Sequence, residues 1–346
     1  MRPLHDSMFK SSGPLSASPA IRFRRRALLQ GLTGGAGLAL LGGCAGTAAL
    51  SDLGFAAPRI RIDDEFGPLR AAIVHDASTA RDLTLDEQRR YLPSELLAEH
   101  PETGASSRGR LILQHEAFCK TLADAGVKML SPVSRAGAAY QVFARDPSFA
   151  VGDTLFVAQM KDAWRADEGA GLLEIRRRYS NVVGFAGTSA LIEGGDVMVM
   201  DKRRVLVGIH RNTTDAGAAG LSAALRPSGI EVIRIPHRAL HLDCCFAPLP
   251  DGTALIAAAK LPESSVALLR PYYREITAID RDEAALHLAT NLLWIDRKRV
   301  VSNRDSKKTN AVLRAKGFRV TELDFSQFVS LWGGFRSVVC PLDRAG

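Results

Sequence analysis

The chain is poor in cysteine, five in 346 residues, and none stands in the CxxC spacing that a tetrahedral zinc site would use. It is also poor in uninterrupted apolar sequence. The run from Gly31 to Gly43 is too short and too rich in glycine to make a comfortable membrane-spanning helix. Excess charge is missing from most of its length. Of a formal net +8, residues 1–43 contribute +5, from Arg2, Lys10, Arg22, Arg24, Arg25 and Arg26 against Asp6. With only +3 left for the rest, nothing argues for a nucleic-acid partner. What is there, 46% hydrophobic and 24% charged residues, is the composition of a globular protein with a sizeable core.

The basic N-terminus has the order of an export signal. Arg25 and Arg26 precede Ala27, Leu28, Leu29 and Gln30, and the apolar run follows. The pair resembles a twin-arginine signal, which exports folded proteins. The end of the run, Leu41, Gly42, Gly43 and Cys44, resembles a lipobox, in which Cys44 carries lipid and becomes the mature N-terminus. The expected division is therefore an export signal over 1–43, a linker over 44–65 and one domain over 66–346. The mature domain is expected outside the cytoplasm, in the periplasm or cell envelope, touching membrane only through its anchor. Cys119, Cys244, Cys245 and Cys340 could pair in such a compartment, and spacing does not choose among the three connectivities.

From about Phe66 a unit recurs: an apolar strand, an amphipathic helix, a second strand, then a third. First strands are expected at 71–74, 154–158, 204–208, 254–259 and 299–302. Helices follow at 114–125, 172–179, 216–225, 264–272 and 307–316, and second strands at 127–130, 181–184, 231–235, 275–279 and 319–323. The third strands, QVFARD (Gln141 to Asp146), EGGDVMVM (Glu193 to Met200), HLDCCFAPL (His241 to Leu249), NLLWID (Asn291 to Asp296) and GGFRSVVCPL (Gly333 to Leu342), carry the unusual polar residues. Five such units suffice to close a ring, and equivalent strands in a ring bring their polar ends to one central place. An RD or EGGD at a strand end is ordinarily only a turn with an ion pair; it is the joint placement on successive units that points to a site.

FARD, EGGDV, HLD and a late GG-containing strand, in that order, resemble the guanidino-group-modifying (pentein) superfamily of arginine deiminases, dimethylarginine hydrolases and amidinotransferases. The runs LTLDEQ (Leu83 to Gln88) and HEAFCKTLADAGVKML (His115 to Leu130) resemble the deiminases more than their cousins. The resemblance implies an α/β fold, a five-bladed propeller with pseudo-fivefold strand-helix-strand repeats around a central site, and a small guanidino or amidino substrate. It implies neither metal nor cofactor. By the same resemblance Asp146 and Glu193 would grip the planar guanidinium, whose forked donors suit carboxylates. Asp243 would complete the grip or orient His241, and His241 would be general acid and base. Arg145 would support Asp146 or reach a substrate carboxylate, while Asp196 would order the glycine turn.

Two positions depart from the family pattern. GGFRSVVCPL puts Ser337 where the family has its nucleophilic cysteine, with Cys340 three residues on. A thiol of ordinary pKa is readily made a thiolate, whereas a serine needs an adjacent base. Ser337 could attack with His241 as base, or Cys340 could attack, although an offset of three on a strand points it to the opposite face unless a bulge intervenes. In the third alternative the site binds a guanidino compound without turning it over. GIHRNTT (Gly208 to Thr214) also puts Asn212, not arginine, where the family holds the substrate's carboxylate, with Arg211 one residue early. Sequence assigns no oligomeric state.

Overall fold

The computed structural model describes residues 57–79, 107–135, 138, 140–185 and 189–345, with the backbone of 21 and 22. Apart from that pair the expected export signal, together with Cys44, most of the linker and the run at 83–88, lies outside the described residues.

The strands form five small sheets on one plan. A short strand turns antiparallel into a second, and a connection containing helix leads to a third, parallel to the second. Ser148–Val151, Thr154–Val157 and Val182–Gly184 make one such sheet. Val197–Asp201, Arg204–Ile209 and Glu231–Pro236 make the next. Phe246–Pro248, Thr253–Ile256 and Glu275–Ala278 follow, then Leu293–Trp294, Arg299–Asn303 and Arg319–Leu323. In the remaining sheet a late strand meets an early one: Cys340–Arg344 runs antiparallel to Leu69–Ile73, which is parallel to Lys128–Leu130. Parallel neighbours need a long crossover, which is why each second strand is followed by helix, such as Arg108–Asp124, Asp215–Leu225 and Lys307–Ala315. The architecture is α/β.

The middle strands are continuous apolar runs because both their faces are covered; Val205, Leu206 and Val207 are wholly buried. One core joins three sheets through Ile73, Phe149, Phe156, Val183, Val207 and Cys340, with the Phe149 and Phe156 rings stacked 5.2 Å apart. The helix expected over 172–179 is instead two short pieces, Ala166–Gly171 and Leu173–Arg176. Gly169 and Gly171 make that stretch a poor helix.

A larger difference concerns the third strands. Four of them keep only an apolar part as strand, at Val197–Asp201, Phe246–Pro248, Leu293–Trp294 and Cys340–Arg344, whereas the stretch 141–146, expected as strand, holds none and pairing begins beyond it, at Ser148–Val151. The polar halves are turns, including single 3-10 turns at Gly194–Asp196 and Leu242–Cys244. Short polar side chains and glycine pairs favour local hydrogen bonds over a ladder.

These five turns are tied to one another in a closed circuit. Arg145 N donates to Ser337 O at 3.0 Å, and Gly194 N to Asp146 O at 3.1 Å. Leu242 N donates to Asp196 Oδ1 at 2.7 Å, Thr290 Oγ1 to Asp243 O at 3.0 Å, and Arg336 N to Asn291 Oδ1 at 2.9 Å. Each bond joins one turn to the next, and the last turn returns to the first.

Arg344, on the strand Cys340–Arg344, fastens that strand to the segment at 65–67 and to Trp294. It is buried and donates to the carbonyls of Glu65, Gly67 and Trp294 at 2.8, 3.0 and 2.5 Å. Replacing Arg344 with Met keeps the bulk but strands three carbonyls, and should cost about 3 kcal/mol or more. The urea midpoint is expected to fall while the slope of the transition stays constant.

Candidate functional site

The turns place their polar side chains through close backbone contacts. Gly194 lies so near Arg145 that a Cβ would come 2.0 Å from the Arg145 carbonyl oxygen; at Gly195 it would come 2.6 Å from the His241 ring. The glycine pair of EGGD is thus what lets the FARD and HLD turns approach from either side. Asp196, behind them, accepts from Leu242 N at 2.7 Å and pairs with His237 Nε2 at 2.9 Å, fixing the segment that carries His241.

His241 Nε2 meets Glu193 Oε2 at 2.8 Å, and its Nδ1 lies 3.8 Å from Asp146 Oδ1. Asn212 Nδ2 donates to Glu193 Oε2 at 3.2 Å and is 3.3 Å from His241 Nε2. The other Glu193 oxygen accepts from Lys161 N at 3.1 Å. Arg165 enters from the short 3-10 turn Ala163–Arg165. Its Nη2 donates to Asp146 Oδ2 at 3.0 Å, its Nε and Nη2 to Glu168 at 2.8 Å each, and its Nη1 comes to 3.9 Å from Glu193. Arg165 borders one cavity of about 30 Å³, walled by Tyr140, Phe143, Trp164 and Trp332, with Asp146, His241, Asn212 and Ser337 on its polar side and Lys161 and Arg211 beside them. Trp332 holds a left-handed φ of 68°, unusual for a bulky residue and costly enough to be kept only where the surroundings enforce it.

Ser337 Oγ accepts from Asn291 Nδ2 at 3.1 Å and from Gly334 N at 3.4 Å. Asn291 Oδ1 in turn accepts from the backbone N–H of Arg336 and Ser337. Two donors therefore point at the atom carried by position 337.

Charge dominates the site. Burial alone would lower the pKa of His241, but the charge of Asp146, the hydrogen bond to Glu193 and the charge of Asp196 outweigh it and raise the pKa to about 10. Glu193 is also buried, which would raise it, yet the bond to His241 holds it below the ordinary value. Asp146 goes the other way: burial raises it against the pull of His241 and Arg165. Burial also lifts Glu168 to about 7, against the pull of Arg165. His241 is thus an imidazolium between carboxylates, and Asp146 is a carboxylate that gains from an added cation. By distance Asp146, Glu193 and His241 could ligate a metal ion, their ligand atoms lying within 4.8 Å of one another. The positive charges beside the two carboxylates are the Arg165 guanidinium and the His241 imidazolium.

Of the residues expected from sequence, Asp146, His241, Asn212 and Ser337 share the cavity. Glu193, expected to grip ligand, stands behind the wall and holds His241 and Asn212. Asp243 neither faces the cavity nor orients His241; it is paired with Arg336 Nη1 at 2.9 Å, and Arg336 also binds Glu65 at 3.0 Å. Arg145 supports neither Asp146 nor a ligand. Its side chain is buried among Arg336, Glu65, Cys340 and Asp243, and burial followed by the charge of Arg336 lowers its pKa to about 10. Cys340 starts a strand inside the apolar core, 3.6 Å from Ser148 Oγ and away from the cavity, so strand alternation from residue 337 does not apply to it. Its thiol and those of Cys119, Cys244 and Cys245 are free. Sequence reasoning missed Arg165, Glu168 and Asn291. The i,i+3 spacing of Arg165 and Glu168 signals an ion pair but not its inward direction.

The sequence model of the arginine deiminase family matches residues 137–271, the stretch that supplies Asp146, Glu193 and His241. An uncharacterized protein of Bacillus subtilis is 27% identical over 285 residues, covering 81% of this chain and 94% of its own. The N(G),N(G)-dimethylarginine dimethylaminohydrolase of Streptomyces coelicolor is 25% identical, covering 70% and 91%. Among solved structures, a cysteine-to-serine mutant of the dimethylarginine dimethylaminohydrolase from Pseudomonas aeruginosa, complexed with citrulline, superposes with a TM-score of 0.65 at 22% identity, over 79% of this chain and 99% of that one. With the ordered motifs and the geometry they build, these matches identify the chain as a member of the guanidino-group-modifying, or pentein, superfamily.

Proposed function

We propose that this chain is an exported guanidino-group hydrolase of the arginine-deiminase type, attacking the amidine carbon of arginine or a related guanidine. In this reading its five sheets are the blades of a propeller around one site, a view supported by the closed circuit of turn-to-turn bonds. The twin-arginine-like leader and Cys44 support export and lipid anchoring to the cell envelope. The observation that carries the reading is the meeting of Asp146, His241 and Ser337 on one buried cavity, with Glu193 2.8 Å behind His241.

Asp146 accepts the planar cation, and Lys161 and Arg211 lie on the same cavity for an anionic end of the substrate. Ser337 Oγ attacks the amidine carbon while its proton passes to Asp146, whose Oδ1 has no hydrogen-bond partner and whose affinity for a proton is raised. The cationic His241 protonates the departing amine as the C–N bond breaks. Left neutral, it takes a proton from the water that attacks the serine-bound intermediate, and as the bond from carbon to Ser337 Oγ breaks, Asp146 returns its proton to that oxygen.

One observation favours a second reading, a catalytically silent guanidino-compound-binding lipoprotein. His241 is already protonated and cannot serve as base for the Ser337 hydroxyl, a weak nucleophile without one. The Pseudomonas relative, with serine in place of a cysteine, is a complex with citrulline.

Incubating the mature domain with arginine, agmatine and methylated arginines, and following ureido product and released amine, separates the two. Turnover removed by Ser337→Ala and untouched by Cys340→Ala is expected for the hydrolase; saturable binding without turnover marks the binder. Ser337→Cys should raise kcat by about a hundredfold or more, because two donors stand ready for a thiolate. Asp146→Asn should weaken binding by roughly a hundredfold, the worth of one charged hydrogen bond.

His241 also makes the domain sensitive to alkali. Its folded pKa of about 10 lies above the ordinary 6.5, so its stabilisation is complete below pH 6.5 and is lost as pH rises through about 10. Calorimetry should show the thermal midpoint falling between about pH 7 and 10, and falling less in His241→Gln. An equal fall in both proteins would contradict the cationic assignment.

A further inference from the structure

Asn291 moves no proton in the proposed reaction, yet its side chain touches the attacking atom. It is 2% exposed and stands 46 residues before Ser337 in the chain. Its Oδ1 accepts from the backbone N–H of Arg336 at 2.9 Å and of Ser337 at 3.3 Å. Backbone N–H groups only donate, so the amide oxygen must face them and the amide nitrogen must face Ser337 Oγ, 3.1 Å away. The seat is shaped for this side chain: a Cβ on Gly334 would come 2.7 Å from the Asn291 Cβ and equally close to its Oδ1. The turn before it is held as well. Asn291 N donates to Leu288 O at 2.8 Å, and Leu288 has a left-handed φ of 46°, which a leucine keeps only where its surroundings enforce it.

We infer that Asn291 is a positioning residue for the attacking atom: the oxygen of its amide fixes the backbone of residues 336 and 337, and the nitrogen favours the side-chain atom of residue 337 as an anion. This role rests on the proposed reading of Ser337 as nucleophile and adds where the developing charge is received. A hydroxyl oxygen has two lone pairs, and the bonds from Asn291 Nδ2 and Gly334 N, at 3.1 and 3.4 Å, occupy both. The Ser337 proton therefore points away from both donors, and the neutral oxygen has no lone pair free for the amidine carbon. Passage of that proton to Asp146 supplies a third pair for the attack while both donors stay in place. Their bonds strengthen because the acceptor is then charged. The bond from Asn291 is thus worth more to the ionised atom than to the neutral one, which is the condition for it to favour reaction rather than binding alone.

A cysteine at position 337 reports this preference directly, because the ionisation of a thiol is visible in the ultraviolet and needs no turnover. The mature protein carrying Ser337→Cys is titrated against the mature protein with serine, so that the other cysteines cancel, and again with Asn291→Leu or Asn291→Asp added. Asn291→Leu removes brace and donor without adding charge. It should move the titration of residue 337 up by about one pH unit, a tenfold loss of thiolate at a given pH, which is the worth of one hydrogen bond to a charged group. Asn291→Asp keeps an oxygen for the two backbone N–H groups, which hold the new carboxylate ionised, and puts a second oxygen where the donor was. It should move the titration further in the same direction, and it carries the test where the leucine variant, with two stranded N–H groups, folds poorly. Only the loss of the donor is common to the two variants. An unmoved titration in either folded variant overturns the inference and leaves Asn291 a brace for the backbone. Turnover by the serine protein with an unmoved titration keeps the hydrolase reading and removes the role of Asn291. A displaced titration with no turnover contradicts the hydrolase and leaves the preference of the amide for an anion standing.

Discussion

The structure depends on the circuit of hydrogen bonds that joins its five polar turns. Each link is an ordinary bond of 2.7 to 3.1 Å, worth little alone. Closed on itself, the circuit fixes five stretches far apart in sequence relative to one another. That fixing is what brings charged side chains into the interior, where an isolated ion would cost several kcal/mol. The cost is contained because the charges arrive in two groups with opposite partners at hand. Arg336 is held between Glu65 and Asp243, and His241 and Arg165 lie among Glu193, Asp146 and Glu168. In the first group Glu65 is drawn down to a pKa of about 2 despite its burial, so it stays ionised and Arg336 remains matched. In the second the match is less complete. Asp146 is raised, and its Oδ1 has no hydrogen bond and only His241 Nδ1 at 3.8 Å as an ionic neighbour, which suits the ligand-receiving role proposed for it.

Much of this could be read in the sequence, and the parts that could not share a cause. The recurring strand, helix and strand were legible because burial imposes periodicity, and the middle strands Arg204–Ile209 and Arg299–Asn303 fall where their apolar runs stand. The polar motifs announced a site because residues such as Asp146, Glu193 and His241 have no reason to recur at the ends of successive units. Which way a turn points its side chains was not legible. Asp243 is claimed by Arg336, 93 residues away, and Arg336 by Glu65, 271 residues away in the other direction. No local pattern encodes such distant choices. The strand ends were misjudged for a related reason: EGGD and HLD read as continuations of the apolar runs beside them, but their bonds go sideways to neighbouring turns. Arg165 escaped notice because an arginine three residues before a glutamate looks like a solvated surface pair, and only the fold reveals that the pair is buried.

Position 337 shows how binding and chemistry separate in this site. The donors from Asn291 and Gly334 are set by the backbone circuit and are indifferent to whether oxygen or sulfur lies between them. A sulfur there would be bound as an anion, because the same donors and the nearby imidazolium favour the thiolate. A hydroxyl accepts the same bonds and stays neutral, since its proton is far too tightly held for those donors to release it. Exchanging cysteine for serine thus leaves the seat for the cation, the acid beside it and the aromatic walls unchanged, while removing the one group that reacts without a base. In the proposed mechanism the requirement passes to Asp146, a carboxylate on the cavity wall whose affinity for a proton is raised by burial. Asp146 must then do two things that compete. Holding a guanidinium lowers its proton affinity, and accepting the serine proton requires that affinity to be high. Under the proposed hydrolysis such a conflict would favour binding over conversion, and the choice of atom at position 337 would govern rate far more than recognition.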